Sequence, residues 1–456
     1  MLEKVLRFFE KYFIPRPLYR LGQPIYHYVL SFFGALIYGF PSKKMFVIGV
    51  TGTKGKTTTC NLIARIFNSA GLKTGMITTV NLIIGDKEWK NETKQTMLGR
   101  FRLQKTLAEM AKENCRYAVV ETSSEGIIQF RHRFIDYDMA VFTNLSPEHT
   151  ERHGGFENYR DAKIKLFEKI AAKEKGENGF GVYNLDDENV EYFLKPEIKN
   201  KYGYGVKLPD SARPVKQADS RFRHKFKISN IKLSPDKTEF KFNGEKFETS
   251  LVGEFNVYNA GAAICAALSQ NIPTEKIKNA LAKAKAPAGR FEIIDKGQNF
   301  IVIIDYAHEP ASLEAAYKTV FDSKIKSGNT KLICLLGAQG GGRDKWKRPA
   351  MGKIAGQYCD KIILTNEDPY DENPDQILSE IKSGISNFHP PVGGPISKIY
   401  EIIDRKEAVK KALSLAKKGD VVILTGKGGE SWMCVEGGKK ISWDEKYEVE
   451  KELRDD

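Results

Sequence analysis

Residues 51–59 read Thr51-Gly52-Thr53-Lys54-Gly55-Lys56-Thr57-Thr58-Thr59, which sets two glycines, two lysines and a run of hydroxyls into one short loop. That is the chemistry of a polyphosphate site. Glycines let backbone N–H groups approach phosphate oxygens, and a helix N-terminus adds a favourable dipole. Lys56 is placed to reach the outer phosphates and Thr57 to offer a hydroxyl to Mg²⁺. The strict GxxxxGK[ST] spacing is not met, because Val50 stands where its first glycine belongs, so the loop is a shorter form. A second candidate is Glu121. It closes the apolar run YAVV, so its carboxylate sits at the C-terminal edge of a strand, where α/β sites form. His149 follows the apolar AVFTNL, and Lys163 lies in the helical stretch NYRDAKIKLF.

These side chains need a scaffold. MFVIGV at 45–50 reads as a buried strand and CNLIARIFNSAG after the loop as a helix, the context a phosphate loop requires. At about 100–200 residues per domain, 456 residues favour two to four domains. With 41% hydrophobic and 29% charged residues, collagen-like, disordered and multi-span membrane classes are excluded. The fold class read from this is α/β. Residues 45–288 form a central P-loop-type domain on a mostly parallel sheet, with an antiparallel β insert over 205–250. After the linker KAKAPA, residues 289–456 alternate strands (FIVIIDY, KLICLLG, KIILT, VVILTG) with helices, a doubly wound, Rossmann-like pattern. The six cysteines (Cys60, Cys115, Cys265, Cys334, Cys359, Cys434) have no CxxC spacing, so free buried thiols in a reducing compartment are expected.

Residues 1–44 differ from the rest. Leu2, Val5, Leu6, Phe9 and Phe13 repeat at helical spacing among Lys4, Arg7 and Lys11, a basic amphipathic helix. From Leu21 to Ser42 no charged residue occurs, and Arg20, Lys43 and Lys44 flank the stretch. Its apolar core falls short of the ~20 residues that span a bilayer, and Pro24, Gly34 and Gly39 interrupt it. Three readings stand: an arm packed on the domain, an interfacial anchor, or a span. The net charge of +14 suits polyphosphates, nucleic acid or an anionic membrane face. No nucleic-acid motif accompanies it, so nucleic acid is not the expected partner.

TGTKGKTTT resembles the loop of the Mur ligases and folylpolyglutamate synthetases. The stretches VVETSSEGIIQFR, AVFTNLSPEH, NYRDAKIKLF, GEFNVYNA, GRFE, DYAHEPASLE, GGGRDKWKRPAMG, TNEDPYDENP and GKGGE follow in the family's order. The run is similar to the Mur ligases of the MurE type. The resemblance implies ligation of a carboxylate to an amine, with ATP making an acyl phosphate, in peptidoglycan precursor synthesis. It implies two Mg²⁺ ions held by Thr57, Glu121, His149 and Lys163 as a carbamate; Lys56, Lys163, His149 and Glu121 carry the catalytic step. ATP falls to Gly52, Thr53, Lys54, Gly55, Lys56, Thr57, Thr58, Asn256, Asn259, Arg290, Asp305, Tyr306 and His308. The muramoyl peptide falls to Thr96, Ser123, Gln129 and Arg131. The incoming amino acid falls to Arg343 at its carboxylate, the selector residues Glu367 and Asp368, and Gly426 and Glu430 at its distal end. The implied location is cytoplasmic, or at the inner face of the plasma membrane if residues 1–44 make peripheral contact.

Three departures bear on the substrate. Glu367-Asp368-Pro369-Tyr370 stands where the diaminopimelate-adding branch reads DNPR, so Tyr370 replaces the arginine that would clamp a distal carboxylate. With Asp371 and Glu372 the loop is acidic, which suits the second ammonium of lysine or ornithine; it is equally open to a solvated reading. Glu125 replaces a usual histidine. The family's N-terminal uridine-diphosphate domain has no counterpart in residues 1–44, so the expected acceptor is either a UDP-linked muramoyl peptide held with fewer uridine contacts or a lipid-linked one met at the membrane.

Overall fold

The computed structural model describes residues 16–147, 153–173, 178–208, 221–323, 325, 330–386 and 398–454. The amphipathic pattern of residues 2–13 and the candidate His149 lie outside them. Helix α1 (Arg16–Ile37) leads into strand β1 (Phe46–Thr51), the phosphate loop and helix α2 (Lys56–Ser69). Strands β2 (Thr74–Ile77), β3 (Asn81–Ile84) and β4 (Lys87–Lys90) follow, then helix α3 (Arg100–Lys112) and strand β5 (Tyr117–Glu121). The short helix α4 (Ser124–Ile128), β6 (Tyr137–Phe142), α5 (Phe156–Ala171), β7 (Phe180–Asn184) and β8 (Asn200–Gly205) come next. Strands β9 (His224–Leu233), β10 (Thr238–Phe242) and β11 (Glu245–Thr249) and helix α6 (Glu254–Ser269) complete this part.

The first sheet has eleven strands in the order β11-β10-β9-β8-β7-β6-β1-β5-β2-β3-β4. From β2 across to β9 every neighbouring pair is parallel, and both edges are antiparallel. The strands expected as an antiparallel insert therefore continue the main sheet. Period-two alternation buries the central strands on both faces. Ile48 and Val50 of β1 join α2 and α6 in one core, while Val47 faces α3 and α5 in the other. The loop after β1 thus leaves the sheet's middle, at its C-terminal edge.

The second sheet is ordered β12-β13-β17-β14-β15-β16, from β12 (Glu292–Ile294), β13 (Ile301–Asp305), β14 (Leu332–Leu336), β15 (Lys361–Leu364), β16 (Lys398–Glu401) and β17 (Val421–Thr425). All its pairs but β12–β13 are parallel, and helices cover both faces. A hairpin of β18 (Trp432–Val435) and β19 (Lys439–Ser442) follows. One sequence expectation is corrected here. Cys334 on β14 and Cys359, just before β15, form a disulfide with a Cα–Cα distance of 6.0 Å; the other four cysteines are free and buried. Their separation of 25 residues hides the pair in sequence, because only the parallel β14–β15 register brings them together.

Among the described residues no helix is long and apolar enough to cross a membrane. Helix α1 packs on α3. Ser31 Oγ donates to the Phe130 carbonyl at 2.8 Å, and a Cβ on Gly34 would meet the Arg100 carbonyl.

In the second domain the helices Lys347–Tyr358 and Pro374–Ser386 pack backbone to backbone. A Cβ on Gly352 would collide with the Ile381 carbonyl oxygen. Gly352→Ala is expected to cost about 1–3 kcal/mol of stability, read as a lower midpoint in urea unfolding.

Candidate active site

The phosphate loop is shaped by what it touches. Gly52 and Gly55 have φ of 147° and 80°, and a Cβ on either would strike Thr143 Oγ1 or Asn259 Oδ1. Thr143 Oγ1 donates to the Lys54 carbonyl at 2.7 Å, and the Lys54 N–H donates to Asn144 Oδ1 at 2.9 Å, so the TNL segment after β6 grips the loop. Lys56 Nζ folds back to donate to the Gly52 and Thr53 carbonyls at 3.0 and 2.8 Å. Buried Lys163 on α5 donates to the same Gly52 carbonyl at 2.8 Å. Two ammoniums from different helices thus meet at one loop, where phosphate charge would lie.

Glu121, buried at the end of β5, draws three groups to one oxygen. Its Oε2 accepts from Thr57 Oγ1 at 3.0 Å, from the Thr79 N–H at 2.7 Å and from Thr79 Oγ1 at 3.0 Å. Thr79 Oγ1 is also 3.1 Å from Thr96 Oγ1. A hydroxyl and a carboxylate beside a phosphate loop fit Mg²⁺, which takes oxygen ligands and keeps several waters. Among the described residues no group of three His, Cys, Asp or Glu side chains forms a cage, so Thr57 and Glu121 would hold the ion together with phosphate and water.

A single cavity of about 800 Å³ joins both domains. Its nucleotide end is lined by Thr53, Lys54, Gly55, Lys56, Thr57, Thr58, Asn259, Arg290, Asp305, Tyr306 and His308. Asn256 stands behind, its Oδ1 accepting from Asn259. The Arg290 guanidinium lies 4.2 Å from the Tyr306 ring centroid, and its buried Nε has no hydrogen-bond partner. Burial raises the Asp305 carboxyl against the pull of Arg290, and its oxygens accept from the Phe291 and Ala307 N–H groups.

At the other end stand Thr96, Ser123, Arg343, Asp368 and Glu430. Gln129 and Arg131 are outside the cavity wall. Arg131 bonds Gln129 Oε1, Gln95 Oε1 and the Met97 carbonyl, so the pair buttresses the Thr96 loop. The acidic loop is not a free anionic patch. Glu372 pairs with Arg348, Asp371 accepts from the Gly437 N–H, and Asp368 accepts from Lys427 and the Cys434 N–H.

Sequence reading missed Thr79, Lys94, Lys427 and Trp432. Lys94 comes from the first domain. Its Nζ lies 2.6 Å from Glu430 Oε2, 3.6 Å from Asp368 Oδ2 and 3.8 Å from the Trp432 ring centroid. Burial and the nearby Lys427 bring Lys94 down to about 8. Lys427 is also buried, yet Glu430 and Asp368 hold its pKa up. No local signal could have tied Lys94 to this cluster, because its partners lie more than 270 residues further along the chain.

The chain is similar to known proteins over most of its length. Residues 50–267 match the Mur ligase middle domain, and residues 289–428 match the Mur ligase, glutamate ligase domain. The chain is 36% identical over 416 residues to UDP-N-acetylmuramoyl-L-alanyl-D-glutamate–2,6-diaminopimelate ligase of Geobacillus kaustophilus, covering 90% of this chain and 79% of that one. It is 33% identical over 449 residues to UDP-N-acetylmuramyl-tripeptide synthetase of Roseiflexus sp., covering 96% and 84%. Among solved structures, a UDP-N-acetylmuramoyl-L-alanyl-D-glutamate–2,6-diaminopimelate ligase aligns with a TM-score of 0.59 at 29% identity, over 90% of this chain and 78% of that one. Folylpolyglutamate synthase of Mycobacterium tuberculosis shares the fold, with a TM-score of 0.65 at 15% identity over 87% and 92%.

Glu367 is fully buried, and neither carboxylate oxygen has a hydrogen-bond partner. Burial raises it to about 7 from an ordinary 4.5. The folded state holds this proton where the unfolded state has released it, so stability is lost as pH rises from about 4.5 through 7. Glu367→Gln should flatten that slope, with a larger gain in melting temperature at pH 8 than at pH 5; equal shifts at both pH values would count against it.

Proposed function

We propose that this chain, which belongs to the Mur ligase family of ATP-dependent, ADP-forming acid–amino-acid ligases, adds an amino acid to the peptide carboxylate of a muramoyl peptide. The observation that carries this is the continuity of the cavity. It runs from the phosphate loop past Glu121 and Thr96 to Arg343 and Glu430, so nucleotide, acceptor and amine can meet.

The chemistry proceeds in two balanced steps. An acceptor carboxylate oxygen attacks the γ-phosphorus of ATP, the bond to ADP breaks, and an acyl phosphate forms. The neutral amine of the amino acid then attacks the acyl carbon. The tetrahedral intermediate expels phosphate, and the amine proton passes to solvent or a nearby base. Such transfers depend mainly on positioning and charge neutralisation. Lys56 supplies positive charge at the loop, and Mg²⁺, when bound at Thr57 and Glu121, adds Lewis-acid stabilisation of phosphate. Lys163 as a carbamate would turn from a cation into an oxygen ligand for a second ion; it is the reading to test by exchanging bicarbonate-free for bicarbonate-containing buffer. Tyr306 and Arg290 frame the base and ribose end.

For the amino acid, Arg343 receives the α-carboxylate. The Glu430–Asp368 pocket beside Trp432 takes a distal ammonium, and it already accommodates the Lys94 ammonium. Tyr370, whose hydroxyl is 3.3 Å from Arg343 Nη2, offers no cation for a distal carboxylate. Lysine or ornithine is therefore favoured over meso-diaminopimelate. The acceptor's carrier is UDP, as in the relatives' names. A lipid carrier is a second reading, favoured by the apolar outer face of α1 next to the Gln129–Arg131 buttress.

Phosphate release should require both amine and muramoyl peptide, assayed across UDP-linked and lipid-linked acceptors with lysine, ornithine and meso-diaminopimelate. Lys56→Ala should lower turnover by about 10²–10³-fold. ATP hydrolysis indifferent to the amine, with no amide product, overturns the ligase reading; turnover only with meso-diaminopimelate overturns the selectivity.

A diamino acid must displace Lys94 from Glu430. Lys94→Met should therefore lower the KM for the diamino acid by roughly tenfold, worth about 1.4 kcal/mol, and leave the KM for ATP unchanged. An unchanged or raised amino-acid KM would count against that competition.

A further inference from the structure

Helix α1 is built inside out. The side it turns to the protein carries small and polar residues: His27, Ser31, Gly34 and Ala35 are buried. The side it turns outward carries Ile25, Tyr28, Val29, Phe32, Phe33, Leu36 and Ile37, every one exposed; Ile25 is 71% exposed and Ile37 63%. These recur at i, i+3, i+4 and i+7, so they form one continuous stripe. A stripe of this kind normally faces a core. An apolar patch this extended marks an interaction surface.

We propose that this face is a docking surface for an anionic lipid bilayer, with α1 lying in the plane of the interface. Charge points to the occupant. The stripe itself has no charged residue, and cations frame it through the aromatic rings at its rim. Lys43 Nζ is 5.4 Å from the Phe40 centroid, and Phe40 meets Phe32 at 6.4 Å. The Arg133 guanidinium is 5.6 Å from the Phe130 centroid, and Phe130 meets Tyr28 at 6.3 Å. Lys44 is exposed beside Lys43. An apolar stripe with aromatic and basic rims matches the headgroup–acyl boundary. Two copies of this face would bring their cationic rims together, whereas anionic headgroups neutralise them.

The helix cannot be surrounded by lipid, because its inner face is occupied. Ser31 Oγ bonds the Phe130 carbonyl, and Gly34 abuts the backbone at Arg100. Arg100 in turn donates to the Gln129 carbonyl at 2.8 Å. Docking would therefore set the buttress of the acceptor loop about one helix diameter, ~10 Å, from the headgroups. That consequence for a lipid-linked acceptor rests on the proposed function; the docking itself does not.

The test is flotation of the full chain with phosphatidylcholine–phosphatidylglycerol vesicles and with phosphatidylcholine vesicles alone. The wild type should float with the anionic vesicles, and added salt should weaken it. Combined Ile25→Ser, Phe33→Ser and Ile37→Ser, at exposed positions, should lower vesicle affinity at least tenfold while ATP binding is retained. Lys43→Ser with Lys44→Ser should reduce the preference for anionic over neutral vesicles. Flotation of the triple variant equal to wild type, absence of wild-type flotation, or a wild-type dimer that the triple variant converts to monomer would each overturn the proposal. No substrate turnover enters the assay, so its failure leaves the ligase reading standing.

Discussion

A single carboxylate oxygen organises the phosphate-loop end of the cavity. Glu121 Oε2 gathers the Thr57 hydroxyl from the phosphate loop and both the N–H and hydroxyl of Thr79, which continues to Thr96. A buried carboxylate is expensive unless its lone pairs are satisfied. Here the same donors that satisfy it also tie Thr57 of the phosphate loop to Thr79 and, through it, to Thr96. The cost of burial is offset by these three hydrogen bonds. Its place at the end of β5, beside β1, follows from the parallel register that pairs Val50 with Glu121.

The other end is governed by charge pairing across the domain boundary. Lys94 from the first domain and Lys427 from the second share Glu430 and Asp368, with Trp432 covering Lys94. In a site of low effective dielectric, leaving either carboxylate unpaired would be costly, while a close match of charge and hydrogen bonds makes the cluster tolerable. The cluster therefore ties the two domains together at the Arg343–Glu430 end of the cavity. Under the proposed function, a substrate ammonium would compete with Lys94 for the same oxygens.

Helix α1 obeys a different constraint. Its small and polar residues satisfy the close approach to α3 and the Phe130 carbonyl, which leaves the large apolar side chains exposed on the outer face. The segment's composition showed an apolar stretch with basic flanks. Which side chains would be left outside depended on the docking against α3.

The glycine loop, the strand before it, the carboxylate at the end of YAVV and the alternation of strands and helices were legible in the sequence, because they rest on local rules: backbone freedom at glycine, period-two burial and helical spacing. The ordered motifs extended that to the family. Tertiary structure decided what locality cannot encode. Gln129 and Arg131 turn away from the cavity to hold its wall, and the acidic loop spends its charge on Arg348, Lys427 and backbone N–H groups. Cys334 meets Cys359 only through a parallel strand pair. Lys94 reaches Glu430 across more than 300 residues of chain. Each of these depends on long-range packing, where the partner of a charged or polar group is whichever group the fold brings within about 3–4 Å, and spacing along the chain holds no record of it.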